Sequence, residues 1–297
     1  MANPTRQAER KGLLLGLLAV FIFGLTLPAT RVAVQEFDPL FVTAGRALLA
    51  SVLAAIALVA TRAPIPKRQE WLGLSIYAAC VVLGFPLFSA FAMREAPAAH
   101  GGVVLAGLPL LTAMAATVVA NERPSRAFWL YGLAGTAAVL AYVLIAAGGD
   151  MDTHSADIYL AAAALSAAVG YAYGGELTRR LGGWEVISWA LIVSAPAMFA
   201  IALFAPQGIN WDASGAAWVG FIYVGVFSQF FGFFAWNKGL AIGGIAKVGQ
   251  TQLLQTFVTL AAGALLLGEV VGGLEVGFAL LVILIVALGM RTRVTRK

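Results

Sequence analysis

Apolar residues in this chain neither alternate with a period of two nor recur on one face of a helix; they run unbroken, again and again. A run of about twenty such residues, rising about 1.5 Å each as a helix, matches the hydrocarbon thickness of a bilayer. Runs of that kind lie at about 12–34, 39–61, 71–93, 97–120, 126–147, 157–178, 184–205, 215–237, 243–267 and 272–290. Polar and Pro/Gly clusters separate them, among them Arg62-Ala63-Pro64-Ile65-Pro66-Lys67, Asn121-Glu122-Arg123-Pro124, Gly148-Gly149-Asp150 and Pro206-Gln207-Gly208, and such clusters mark turns. Strands of a membrane barrel would alternate over about ten residues instead. The pattern therefore predicts an all-α membrane protein with ten transmembrane helices. Arg6, Arg10 and Lys11 ahead of the first run have the charge order of a signal peptide. The run is long for a signal and lacks a small-x-small cleavage site, so it is read as the first span.

Composition agrees and removes alternatives. Hydrophobic residues make up 61% of the chain and charged residues 11%, where a soluble domain carries roughly 25% charged residues. That leaves too few charges for a wet surface, which excludes a soluble enzyme, a disordered chain and a secreted disulfide scaffold. The single Cys80 allows no disulfide within the chain and no cysteine-based metal cluster. The net charge of +5 becomes informative once sorted by connector. Fifteen of the 19 Lys and Arg residues fall in the two tails and in the connectors after the even-numbered spans. Arg31 and Arg94 fall on the other side, and Arg46 and Lys247 fall inside spans. By the positive-inside rule both termini are cytoplasmic, and the basic balance needs no nucleic-acid partner. Glu36, Asp38, Asp150, Asp152, Asp157, Asp212 and Glu275 are expected outside.

Shifted by 147 residues, the chain aligns with itself without a gap: Trp71 meets Trp218, Gly73 meets Gly220, Ala99 meets Ala246, Gly102 meets Gly249, Thr112 meets Thr259, Ala115 meets Ala262 and Glu122 meets Glu269. Five spans per half give the second half the opposite sense through the membrane. Inverted repeats of this kind are common in carriers that work by alternating access around a central site. The expected units are residues 12–147 and 157–291.

The two inverted halves, with a Glu closing each fourth helix (Ala120-Asn121-Glu122 and Leu267-Gly268-Glu269) and the segment from Pro109 to Glu122, resemble the drug/metabolite transporter superfamily. More closely they resemble its EamA-type members, and within those the YddG-type aromatic amino acid exporters. The resemblance covers nearly the whole chain. It implies a basket of ten helices around a central cavity, and export of amino acids across a bacterial inner membrane. Thr256 stands where the first half has Pro109, so the two helices are expected to bend differently.

Ionisable groups inside spans point to function, because charge in hydrocarbon is costly. The 147 offset lays His100 on Lys247, and inverted symmetry predicts that both line one cavity, His100 nearer the outside. A lysine ammonium can hold a substrate carboxylate, and a histidine can titrate near neutral pH. Arg46 is assigned to structure, through backbone carbonyls or Glu36, and Glu176 to an interfacial pair with Arg179 and Arg180. Tyr77, Phe85, Tyr171, Tyr173, Trp189, Gln229, Trp236 and Gln252 complete the expected lining, as aromatic surface with a few polar heads. Pro28 and Pro86 are expected hinges. Gly12xxxGly16, Gly170xxxGly174, Gly239xxxGly243 and Gly273xxxGly277 have the spacing for close helix contact.

The leading reading is thus a carrier of amino acids with aromatic and other apolar side chains, acting as a monomer in the lipid bilayer. Export of cationic drugs would call for a carboxylate within the membrane, and no span holds one near its middle. A membrane enzyme would need paired carboxylates, a nucleophile with its base, or metal ligands. Asp150, Asp152, His154 and Asp157 are read as a solvated loop and not as a metal site. With no phosphate-binding loop in the sequence, neither ATP nor any other cofactor is expected. A channel would differ from a carrier by its inability to produce counterflow.

Overall fold

The computed structural model describes residues 4–146, 155–205, 209–268, 270–290 and 294–296. Asp150, Asp152, His154 and Glu269, the 148–149 and 206–208 connectors, and Arg291, Arg293 and Lys297 lie outside the described residues. In chain order the helices are α1 (Gln7–Glu36), α2 (Pro39–Thr61), α3 (Arg68–Glu95) and α4 (Ala98–Val119), then α5 (Arg126–Ala146). After these come α6 (Ser155–Leu181), α7 (Gly183–Leu203), α8 (Gly215–Gly243) and α9 (Ile245–Leu267), and finally α10 (Gly273–Met290). Among the described residues, α1–α4 and α6–α9 are the eight long and apolar enough to cross a membrane; α5 and α10 pack against each other.

Local chemistry fixes the ends. Asp38 caps α2 by accepting from Leu40 N at 2.8 Å, with Pro39 in the first helical position, where a missing N–H costs nothing. The α6–α7 and α8–α9 turns pass through Gly182 at φ 108° and Gly244 at φ 90°, conformations that exclude a Cβ. The 121–124 connector is more than a turn. Its residues Glu122–Pro124 form β1, which pairs antiparallel with β2 (Val294–Arg296), Glu122 opposite Arg296.

Helix pairing follows where the glycines permit close approach. A Cβ on Gly12 would sit 2.6 Å from the Gly243 Cα, and one on Gly239 2.9 Å from the Gly12 carbonyl oxygen. The first and third of the Gly-x-x-x-Gly pairs therefore clasp each other, joining α1 to α8. Gly170 packs on Val81 and Gly174 on Tyr77, joining α6 to α3. Gly273 and Gly277 differ, since a Cβ at either would meet nothing within 4 Å. Helix α2 lies against α7, and α4 against α6 and α9.

In two of the helix pairs the interruptions fall at matching or nearly matching places. Helices α3 and α8, α4 and α9, and α5 and α10 begin 147 residues apart in each pair. Helix α3 widens into a π segment at Ala79–Gly84 and α8 at Val224–Phe231. Helices α4 and α9 each tighten into a 3₁₀ turn, at Leu105–Gly107 and Gln250–Gln252. The tight turn forms with or without the proline, and Leu108 N serves the Leu105 carbonyl that Pro109 cannot.

Prolines elsewhere leave carbonyls that distant side chains take up. Helix α1 breaks at Leu25, and Pro28 has no N–H to offer the Gly24 oxygen; Thr259 of α9 donates to it at 2.8 Å. In the π register of α3 Phe85 N bonds the Cys80 oxygen, so Pro86 leaves the Val81 oxygen without its next donor. Gln229 of α8 supplies one at 3.3 Å.

Candidate substrate site

Mid-bundle, where α1, α2, α3, α6, α8 and α9 converge, Phe23, Phe85, Tyr171 and Phe233 form aromatic walls. Thr26, Arg46, Ser228, Gln229 and Gln255 bring polar atoms to the same space, which spans about 350 Å³ with its open side included. The walls close tightly enough that the centre holds about one water molecule in this conformation. A second space of about 240 Å³ adjoins it, lined by Gln252, Thr256 and Thr259 among apolar residues, and Gln255 faces both.

Arg46 governs the electrostatics. Only 2% of it is exposed, and it lies two turns inside α2, too deep to snorkel to an interface. Gly225 brings α8 against the Arg46 backbone, with a Cβ there 3.4 Å from the Arg46 carbonyl oxygen. Its Nη2 donates to Ser228 Oγ at 3.1 Å, and that hydroxyl shares a 2.8 Å hydrogen bond with Thr26 Oγ1. Nε and Nη1 are buried without a hydrogen-bond partner among the described residues. Glu36, expected as its partner if backbone carbonyls were not, sits at the end of α1 and accepts from Ser214 N at 2.7 Å. Among the described residues neither space is lined by Asp or Glu.

The residues expected to line a cavity separate into groups. Phe85, Tyr171 and Gln229 line the main space and Gln252 the second. Trp236 is fully buried behind the wall, edge-on to Phe23 and Tyr171 with ring centroids 6.0 and 5.2 Å away. Tyr77 lies outside the lining, bonded to Asn237 Nδ2 at 3.0 Å; that amide also reaches the Gly183 carbonyl oxygen at 3.2 Å. Tyr173 packs by Gly73, and Trp189 stands edge-on to Trp71 at 6.2 Å.

His100 and Lys247 do not line either space. They sit at opposite ends of the bundle, each with a partner the sequence did not assign to it. His100 Nε2 lies 2.6 Å from Asp157 Oδ1, and Nδ1 lies 3.2 Å from the Tyr142 hydroxyl. Lys247 Nζ meets Glu9 at 2.8 Å with both side chains nearly half exposed. The reason is positional, since each stands within a turn of its helix start, where solvent and a carboxylate are in reach. The end that holds Lys247 also holds Glu122, 4% exposed, which accepts from Ile245 N and Ala246 N at 2.9 Å each and so caps α9. Arg179 stands 3.9 Å from Glu122 and bonds Glu176 at 2.5 Å.

Phe23, Thr26 and Phe233 are cavity residues that were not singled out from the sequence. Arg46 was noticed as an intraspan charge but assigned to structure. Depth was the usable signal. Arg46 is farther from a helix end than His100 or Lys247, and an ionisable group at depth is functional by default.

The chain is thus an apolar bundle of helices, eight of them long and apolar enough to cross a membrane among the described residues, with a polar, aromatic-walled space at its centre. The chain belongs to the EamA-like transporter family, whose profile matches residues 10–144 and again 154–291. It is 42% identical over 277 residues to the uncharacterised transporter YdeK of Bacillus subtilis (strain 168), covering 93% of this chain and 96% of that one. It is 24% identical over 280 residues to the uncharacterised transporter YcxC of the same organism, covering 85% and 84%. A crystal structure superposes with a TM-score of 0.70 at 21% identity, over 94% of this chain and 98% of that one, a likeness of fold. The protein is a multi-pass membrane transporter of the drug/metabolite superfamily.

Proposed function

We propose that the protein is an exporter of amino acids with aromatic and other apolar side chains, working by alternating access as a monomer in the cell membrane. In this reading α5 and α10 also span, giving ten helices in two five-helix units, 12–147 and 157–291, of opposite sense. The termini face the cytoplasm. The observation that carries the reading is the central space itself, whose lining combines four aromatic rings with hydroxyl, amide and guanidinium groups. A molecule with a bulky apolar end and a small polar head suits such a lining. The matched helix starts and matched π and 3₁₀ segments support two units that rock about that space. The tight walls support it further, since a site that admits about one water must widen to take cargo.

Site residues are Phe85, Tyr171, Gln229 and Gln252 from the sequence reading, joined by Phe23, Thr26, Arg46, Phe233 and Gln255; Pro28 and Pro86 remain the hinges. Export of lipophilic cations is disfavoured, because the charged group in the lining is itself a cation. Proteoliposomes preloaded with unlabelled phenylalanine, tryptophan, leucine or methionine and challenged with the labelled form test the proposal. Counterflow of at least one is expected; its absence for the whole panel sinks the substrate assignment, and leakage without counterflow points to a pore.

A further inference from the structure

Resting on the central space just described, one feature of it goes beyond apolar selectivity: its charge is unbalanced. Arg46 is 2% exposed, and its only hydrogen bond among the described residues is to Ser228. Two guanidinium nitrogens are buried with no hydrogen-bond partner among the described residues. A guanidinium is not deprotonated in proteins, so the burial cannot be relieved by losing a proton. A buried cation with no counter-charge is held at a large desolvation cost, and the charge is one a ligand can complete.

The neutral groups around it sharpen the class of ligand. Gln255 presents a buried Oε1 without a partner among the described residues, while Thr26 and Ser228 are already bonded to each other. These are dipoles and can accept from a donor, but none carries charge. We propose that Arg46 anchors the carboxylate of the cargo, and that the site recognises small monocarboxylates with an apolar or aromatic body whether or not they carry an ammonium group. A carboxylate neutralises Arg46 directly. An ammonium entering the same space would meet only neutral acceptors and feel the repulsion of Arg46. The amino group of an amino acid is therefore tolerated by the site and does not drive binding.

Three probes that share a phenyl ring separate the contributions: L-phenylalanine, 3-phenylpropionate, which lacks the ammonium, and 2-phenylethylamine, which lacks the carboxylate. Titrated onto the purified full chain, 3-phenylpropionate is expected to bind at least as tightly as phenylalanine, and 2-phenylethylamine at least about tenfold more weakly than either. Arg46→Gln is expected to weaken both acids by at least about tenfold, with Arg46→Lys retaining part of the affinity. Equal or tighter binding of the amine overturns the proposal, as do acids that bind a folded Arg46→Gln protein unchanged, or wild-type protein that binds neither acid. If the variant does not fold, the wild-type ranking of the three probes decides alone. The export reading fails separately: binding of 3-phenylpropionate that depends on Arg46, without counterflow of any amino acid, leaves this anchor standing and removes amino acids as cargo. Counterflow of phenylalanine competed by the amine and not by the acid does the reverse.

Discussion

A single guanidinium sets the character of this bundle. Buried ions without counter-charges cost several kcal/mol, so Arg46 is a group the fold would be more stable without. Replacing it by Met, of similar length and no charge, is expected to leave the melting temperature of the detergent-purified protein equal or higher while transport is lost. A marked fall in melting temperature would instead assign Arg46 a structural task through Ser228. His100 is the contrasting case. With Asp157 at 2.6 Å and Tyr142 at 3.2 Å, it holds the starts of α4 and α6 and the body of α5 together. His100→Ala and Asp157→Ala should be non-additive in a double-mutant cycle, with a coupling of about 1 kcal/mol. Neither is expected to weaken substrate binding by more than a few-fold. Additive losses in unfolding experiments would show that the pair does not act as a unit.

At the scale of the helix, prolines and their remote partners are the recurring device. Pro28 opens the Gly24 carbonyl, and Thr259 closes it from α9. Thr259→Val removes that donor and is expected to lower stability by about 1 kcal/mol, the ordinary worth of such a bond with some desolvation cost added. The test is whether Pro28→Ala, which returns an N–H to the helix, recovers most of the loss in the double variant. If it recovers nothing, the hydroxyl acts otherwise. Gln229 stands in the same relation to Pro86 through the Val81 carbonyl, so it both lines the cavity and holds α3 to α8. Gly12 is a second element-scale hinge of the packing, since a side chain there has no room against Gly243. Gly12→Val should separate α1 from α8, seen as a loss of folded yield larger than that of Gly277→Val, where nothing lies within 4 Å.

Across the whole molecule the two ends differ in kind. One gathers Glu9, Lys247, Glu122 and Arg179 with the β1–β2 pair; the other gathers Arg31, Glu36, Glu95, Asp157 and His100. Arg31 there donates to the carbonyl oxygens of Met93 and Ala96 at 2.9 and 2.6 Å, satisfying groups that the end of α3 leaves open. If the first end is cytoplasmic, single cysteines placed in a Cys80→Ala background report it. Asp212→Cys is expected to react with an impermeant maleimide from outside intact cells, and Lys238→Cys only after permeabilisation. The reverse labelling would invert the orientation drawn from the Lys and Arg distribution.

Much of this protein was legible along the line of the sequence. Span length, span order and the sorting of charge between ends are one-dimensional properties: a run either crosses the hydrocarbon or does not, and a charge falls in a connector or within a run. The 147-residue offset belongs with them, since the helix starts at 68 and 215, 98 and 245, and 126 and 273 keep the same spacing. What the line could not carry was lateral position. His100 and Lys247 align in the repeat, yet each stands near a helix start with a carboxylate within reach, so neither had to face the centre. Arg46 had no such exit, and whether its guanidinium met Glu36, a backbone carbonyl or an open space depended on the rotation of α2 against α8. That rotation is set by side chains more than 180 residues apart meeting in three dimensions, Arg46 with Ser228 and Thr26 with Ser228. The sequence by itself thus determined a membrane bundle with its repeat and its charge asymmetry; the tertiary structure alone decided which buried charge faces the central space.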